Sequence, residues 1–144
     1  RKLTENDIEL TGNQDVKAIF DPDQMRQVII NLLQNGLQHA APKVKPLVNL
    51  VIGTDSTNQP QLRIRDSGLG IPDPIQERVF EPFFTTSSKG SGLGLYLARQ
   101  LCISNNGSLE YFSDENTGYF NILLSPAAQD VGSNNKNQSL NNAG

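Results

Sequence analysis

A single cysteine in 144 residues excludes an internal disulfide and a cysteine-based metal site. Cys102 lies in an apolar helical run and reads as a packed core residue. No apolar stretch approaches the roughly 18 residues that a transmembrane helix needs, and no signal peptide is recognisable. His39 is the only histidine, and no G-x-S-x-G run offers a nucleophile elbow, so Ser-His-Asp hydrolysis has little support. Positive charge is scarce as well. Twelve Lys and Arg face fifteen Asp and Glu, a net charge of −3. That balance argues against a nucleic-acid binder working by blanket phosphate neutralisation. It leaves room for a small anionic ligand, whose charge a metal ion and backbone donors can meet. The first residue is not Met, and the expectation is a cytoplasmic piece of a longer protein, itself not inserted in a membrane.

What is present suffices for one domain over residues 1–126, able to bury roughly two-thirds of its unfolded surface. Residues 127–144 hold almost no large apolar side chains and no period, so they read as a disordered tail. Residues 8–20 suggest two short strands, "IEL" and "VKAIF", with a turn at Gly12-Asn13. The run "DPDQMRQVIINLLQNGLQHAAP" predicts a helix, with Asp21 as cap, Pro22 at its first position and Pro42 past its end. Its buried stripe is Met25, Val28, Ile29, Leu32, Leu33, Leu37 and Ala40. Strands are expected at 47–53 and 61–66, and a helical turn near Pro74–Val79. A second helix is expected from Gly92 to about Asn105, with Leu93, Leu97, Leu101, Ala98 and Cys102 on its apolar face. A hairpin of strands 108–112 and 119–124 follows. The order predicts an α+β fold: a two-layer sandwich whose mainly antiparallel, mixed sheet is covered on one face by helices.

Three places can carry chemistry. On the first helix Gln27, Asn31, Asn35 and Gln38 share a face beside the buried stripe. Solvated faces usually carry Lys and Glu, so neutral amides suggest a partly enclosed polar cavity, and an amide oxygen is a hard ligand suited to Mg²⁺. A plain solvent-facing stripe remains the other reading. "IRDSGLGIP" sets Asp66 at a strand end before Gly68, Gly70 and Ile71. A carboxylate there can accept from an exocyclic amine such as adenine's, while the glycines admit close approach or positive φ; an ordinary turn is the alternative. Finally, "FFTTSSKGSGLGLYLARQL" carries Gly90, Gly92 and Gly94 into a helix start, where free N–H groups and the helix dipole favour an anion. It is neither a P-loop nor a dinucleotide fingerprint, and glycines flanking a small polar stretch also permit a hinged lid.

In order and content, "NLLQNGLQHA", "DSGLGIP", "FEPFFTT" and "GSGLGL" resemble the N, G1, F and G2 boxes of sensor histidine kinases. These are ATP-binding domains of the GHKL superfamily with the Bergerat α/β sandwich. The resemblance covers about residues 5 to 125 and looks most like the nitrogen-regulatory and pilus-regulatory kinases. It implies that Asn35 binds Mg²⁺, with Asn31 nearby at the metal or phosphates, and that Asp66 binds the adenine amine within a pocket shaped by Gly68, Gly70 and Ile71. It implies that Phe83 and Phe84 anchor the start of the lid. Thr85, Thr86, Lys89, Gly90, Ser91, Gly92, Leu93, Gly94 and Leu95 then follow the phosphates. Two departures reduce positive charge: Gln38 stands where a Lys or Arg is frequent, and Ser87 where a basic residue often follows the threonines. Ordinary or weakened affinity is therefore expected, with Lys89 the nearest cation and His39, when protonated, a partial compensation at the pocket rim.

The position of Asn31 is typically Glu in hydrolysing members, and an amide cannot accept a proton from water near neutral pH. The implied reaction is γ-phosphoryl transfer from Mg·ATP to a histidine. In the family that histidine sits on a helical hairpin of a dimerisation domain N-terminal to this one, and none precedes Ile8, so a catalytic fragment of a larger kinase is expected. The other implied partner is a response regulator, and attachment of the full protein to the inner membrane stays open. The rivals are a hydrolysing GHKL ATPase, which would want an acid at position 31, and an anti-sigma type serine kinase, which tends to lack the aromatic "FEPFF" segment. A nucleotide-free interaction module would have lost Asn35, Asp66 or the lid glycines.

Overall fold

The structure is a computed structural model and describes residues 7–38, 47–66, 70–86, 90–113 and 118–127. Its elements are β1 (Ile8–Gly12), β2 (Ala18–Ile19), α1 (Pro22–Gln38), β3 (Val48–Thr54) and β4 (Pro60–Asp66). Two short 3₁₀ turns follow, Asp73–Ile75 and Arg78–Phe80, and then α2 (Gly94–Ser104), β5 (Ser108–Ser113), β6 (Gly118–Leu123) and β7 (Ser125–Pro126). Five strands form one sheet in the order β1-β3-β4-β6-β5. Only the β1–β3 pairing is parallel, so the sheet is mixed and mainly antiparallel, as expected.

Strand alternation builds the core. Leu62 and Ile64 on β4 and Phe120 and Ile122 on β6 are buried on one face of the sheet. Against them pack Val28 and Leu32 of α1 and Leu95, Ala98 and Cys102 of α2. Met25, Ile29 and Leu33 flank this cluster, while the side chains of Leu37 and Ala40, with Pro42, lie outside the described residues. On the opposite face the Tyr119 ring lies between Arg63 and Arg65, whose guanidinium carbons are 5.1 and 5.2 Å from its centroid.

Local chemistry fixes both helices. Asp21 Oδ1 accepts from the Gln24 N–H at 3.0 Å, so Asp21 caps α1. α2 ends with Asn106 at φ +60°, where the Gly107 N–H donates to the Cys102 carbonyl at 2.9 Å and the Asn106 N–H to Ile103 at 3.0 Å. That is a Schellman stop with asparagine in the left-handed position. Asn105 clasps the two helices: its Oδ1 accepts from the Asp21 N–H at 2.9 Å and its Nδ2 donates to Gln24 Oε1 at 2.6 Å.

The two strands expected within residues 8–20 are both present, in different sheets. β1 runs parallel to β3, and β2 shrinks to two residues that pair with the unforeseen β7. At Gly12, φ +97° turns the chain away, and a Cβ there would lie 2.0 Å from the Ile52 carbonyl oxygen. Two expectations need correction. The second helix begins at Gly94, not Gly92. Its buried stripe is Leu95, Ala98 and Cys102, so Leu97 falls on the outer side and is 47% exposed. The turn foreseen near 74–79 is the pair of 3₁₀ turns, and the proposed tail from 128 onward lies outside the described residues.

Candidate active site

Asn31 and Asn35 stand one helical turn apart on α1, facing the start of α2. Asn31 is buried and its amide is engaged at both ends. Gln27 Nε2 donates to its Oδ1 at 2.8 Å, and its Nδ2 donates to the Gly94 carbonyl at 3.2 Å. Asn31 therefore ties α1 to the first turn of α2. Asn35 is half-buried, and its side chain makes no hydrogen bond among the described residues.

Two cavities meet at Asn35, Val79 and Thr86. The first, about 130 Å³, is lined by Asn31, Gln34 and Asn35 of α1, by Phe84, Thr85 and Thr86, and by Gly90, Ser91, Gly92, Gly94 and Leu95 at the approach to α2. Its wall is amide, hydroxyl and backbone, and the N-terminus of α2 opens onto it, which suits an anion. The second, about 80 Å³, is apolar. Ile64, Gly70, Ile71, Pro72, Ile75, Val79, Tyr111, Gly118, Tyr119 and Phe120 line it with Asn35 and Thr86. Asp66 ends β4, where its backbone pairs with Val48 of β3.

The segment between Phe83 and Gly92 is closed by its own backbone. The Phe83 N–H donates to the Gly92 carbonyl at 2.8 Å. Both residues are left-handed, with φ +67° and +73°, and a Cβ on Gly92 would lie 2.5 Å from the Phe83 carbonyl carbon. Only glycine fits there. Phe83 was expected to anchor this segment. Its ring is 74% exposed, so its contribution is the backbone bond. Phe84 is half-buried beneath Arg78, 4.6 Å from its centroid, and the buried ring is Phe80, which meets Phe120 edge-on at 6.1 Å. Leu93 stands just before α2, its N–H bonded to Ser91 Oγ at 3.3 Å, and does not line the cavities.

Of the remaining sequence candidates, His39, Gly68 and Lys89 lie outside the described residues, as does Ser87; for Gln38 and Asp66 the structure gives the backbone placement. Residues the sequence did not single out are Gln34, Val79 and most of the apolar wall, Tyr111 above all. Gln34 stands three residues after Asn31, so the amide spacing could have found it. Tyr111 reaches the pocket from a strand distant in sequence and carries no local motif. Cys102, buried behind this site, has its thiol pushed up to about 12 by burial, so it offers no thiolate ligand or nucleophile.

A polar cavity at a helix N-terminus joined to an apolar one can seat an anionic group beside a flat ring, as a nucleotide requires. Residues 20–129 match the family described as histidine kinase-, DNA gyrase B- and HSP90-like ATPases. The sensor protein kinase PilS of Pseudomonas aeruginosa is 42% identical over 116 residues, 78% of this chain and 22% of PilS. The signal transduction histidine-protein kinase AtoS of Escherichia coli is 31% identical over 106 residues, 74% of this chain and 17% of AtoS. Among solved structures, the mycobacterial sensor histidine kinase MprB gives a TM-score of 0.68 at 26% identity, covering 85% of each chain. The nucleotide-free catalytic domain of histidine kinase ThkA gives 0.69 at 27%, covering 83% of this chain and 80% of that one. The chain belongs to the histidine kinase-, gyrase B- and HSP90-like ATPase family. Within it, the chain is of the histidine-kinase ATP-binding catalytic type, and it spans only about a fifth of the length of PilS and AtoS.

Proposed function

We propose that this chain binds Mg·ATP across the two cavities and, within a larger sensor kinase, donates the γ-phosphoryl group to a histidine on a separate dimerisation domain. The observation that carries the reading is Asn35. It presents an amide without a hydrogen-bond partner among the described residues, where the apolar and polar cavities join. A base seated in the apolar cavity and phosphates directed to the α2 N-terminus would pass this side chain.

The donor set fits a magnesium ion carried in by the nucleotide. Among the described residues no group of three His, Cys, Asp or Glu could hold a metal alone. Mg²⁺ typically takes one or two protein oxygens and completes its shell with phosphates and water. Asn35 Oδ1 would supply that oxygen, with Asn31 the weaker candidate because both ends of its amide are engaged. When bound, the ion neutralises charge on the phosphates.

The chain's own residues would bind and orient. Asp66 would accept from the adenine amine, with Gly68, Gly70 and Ile71 along the base. The N–H groups at Gly94 and Leu95 would face the phosphates, and Thr85, Thr86, Lys89, Gly90, Ser91 and Gly92 would cover them. Gln38 and His39 would border the triphosphate. Position 31 holds no base to activate water, so ATP would be kept for the partner domain.

The test supplies γ-labelled ATP with a separate helical-hairpin fragment bearing the phosphoacceptor histidine. Label is expected on that fragment and not on this chain, with little free phosphate released. Label on His39, or rapid phosphate release by the chain alone, would contradict the reading. Transfer onward to a response regulator belongs to the same proposal.

A further inference from the structure

Ile71 is fastened on both sides of its peptide. Its N–H donates to the Tyr111 hydroxyl at 2.9 Å. Its carbonyl accepts from Gln76 Nε2 at 2.9 Å, and the same amide nitrogen reaches Ser113 Oγ at 3.1 Å. Two residues of β5 thus hold a loop that arrives from β4, one directly and one through Gln76. The Tyr111 ring is itself set by Phe120, edge-on at 5.1 Å, and Phe120 meets Phe80 at 6.1 Å. Its hydroxyl ends in a slot cut for it: a Cβ on Gly118 would lie 1.6 Å from the phenol oxygen, and one on Gly70 3.2 Å. Gly118 has no positive φ to require glycine, so the phenol accounts for the missing side chain there.

We propose that Tyr111 is a positioning residue for the base of the nucleotide: its hydroxyl fixes the Gly70–Ile71 backbone and closes the end of the apolar cavity. This rests on the nucleotide reading above and adds the element that sets the shape of the base end. The polar cavity is built from α1 and the approach to α2, neither of which Tyr111 lines. Loss of the hydroxyl should therefore weaken the grip on the base and leave the grip on the phosphates unchanged.

The test compares the wild-type chain with Tyr111→Phe and Gly118→Ala, measuring affinity for a non-hydrolysable ATP analogue with Mg²⁺ and for inorganic tripolyphosphate with Mg²⁺. Phenylalanine keeps the ring against Phe120 and removes the hydroxyl that accepts from Ile71. Alanine at 118 keeps the hydroxyl but drives it from its slot, since the new Cβ would lie 1.6 Å from the phenol oxygen and 2.2 Å from the ring carbon that bears it. Each is expected to weaken the ATP analogue about five- to tenfold, the scale of one lost hydrogen bond. Tripolyphosphate affinity should stay within about twofold. Because both changes act on one contact, the double variant should lose less than the product of the two. A Tyr111→Phe chain that binds the analogue like wild type overturns the proposal, as does one that loses analogue and tripolyphosphate in equal proportion. Asp66→Asn serves as the separate control: if it leaves analogue affinity unchanged, the nucleotide reading itself fails, and this proposal with it.

Discussion

Asn31 and Asn35 are the same residue type on one helix face, yet their surroundings give them different work. Asn31→Ala removes the acceptor for Gln27 and the donor to Gly94. It should cost about 1–2 kcal/mol of stability in urea denaturation and loosen the start of α2. Asn35→Ala breaks no hydrogen bond among the described residues, so stability should hold while Mg²⁺-dependent affinity falls. Cys102 gives a second residue-scale test: its buried thiol should resist alkylation in the native chain and react on unfolding, and fast native labelling would contradict its packing. Asp55 gives the pH test. Thr57's hydroxyl, then the Gln59 and Thr57 N–H groups, hold its carboxyl below the ordinary carboxylate value. The folded pKa is depressed, so this support is complete above the ordinary value and lost as pH falls through the depressed one. Asp55→Ala should lower the denaturation midpoint at pH 7, and the gap to wild type should close in acid. The amide pattern was readable in the sequence because it sits on one helix at regular spacing. Which amide is tied and which is open depends on Gly94, 63 residues beyond Asn31, and was not.

Among the elements, α1 and the β5–β6 hairpin were legible because their signals are local: a cap, a 3.6-residue stripe, a short turn between apolar runs. β1 was legible as a strand, but its parallel partner was not, since β3 lies beyond an entire helix. The start of α2 was misjudged by one glycine pair. A helical pattern alone cannot show that Gly92 is held left-handed against Phe83. Gly92→Ala tests that contact. It should cost roughly 1–3 kcal/mol for an L-residue forced into this conformation, and it should weaken nucleotide binding beyond that by displacing the segment facing the phosphates. Wild-type stability and affinity would mean that the Phe83–Gly92 closure is dispensable. The capping of α1 is testable in the same way, since Asp21→Ala should cost about 1 kcal/mol.

For the whole molecule, the sheet and the residues between 70 and 79 wall the apolar cavity, while α1 and the approach to α2 wall the polar one, so a nucleotide spanning both would report on their packing. The α+β class followed from the order of elements. The sheet order β1-β3-β4-β6-β5 did not, because it depends on long-range pairing that a sequence pattern does not encode. Under the proposed reading, the chain alone should bind ATP and release phosphate from it slowly or not at all. The most direct test of the central claim is calorimetric titration of the chain with a non-hydrolysable ATP analogue, with and without Mg²⁺, beside Asn35→Ala and Asp66→Asn. The account expects saturable one-site binding that Mg²⁺ strengthens. It expects Asn35→Ala to abolish the Mg²⁺ effect and Asp66→Asn to cost about tenfold or more, the scale of a hydrogen bond to a charged group. Equal affinity in all three chains, with no response to Mg²⁺, would contradict it.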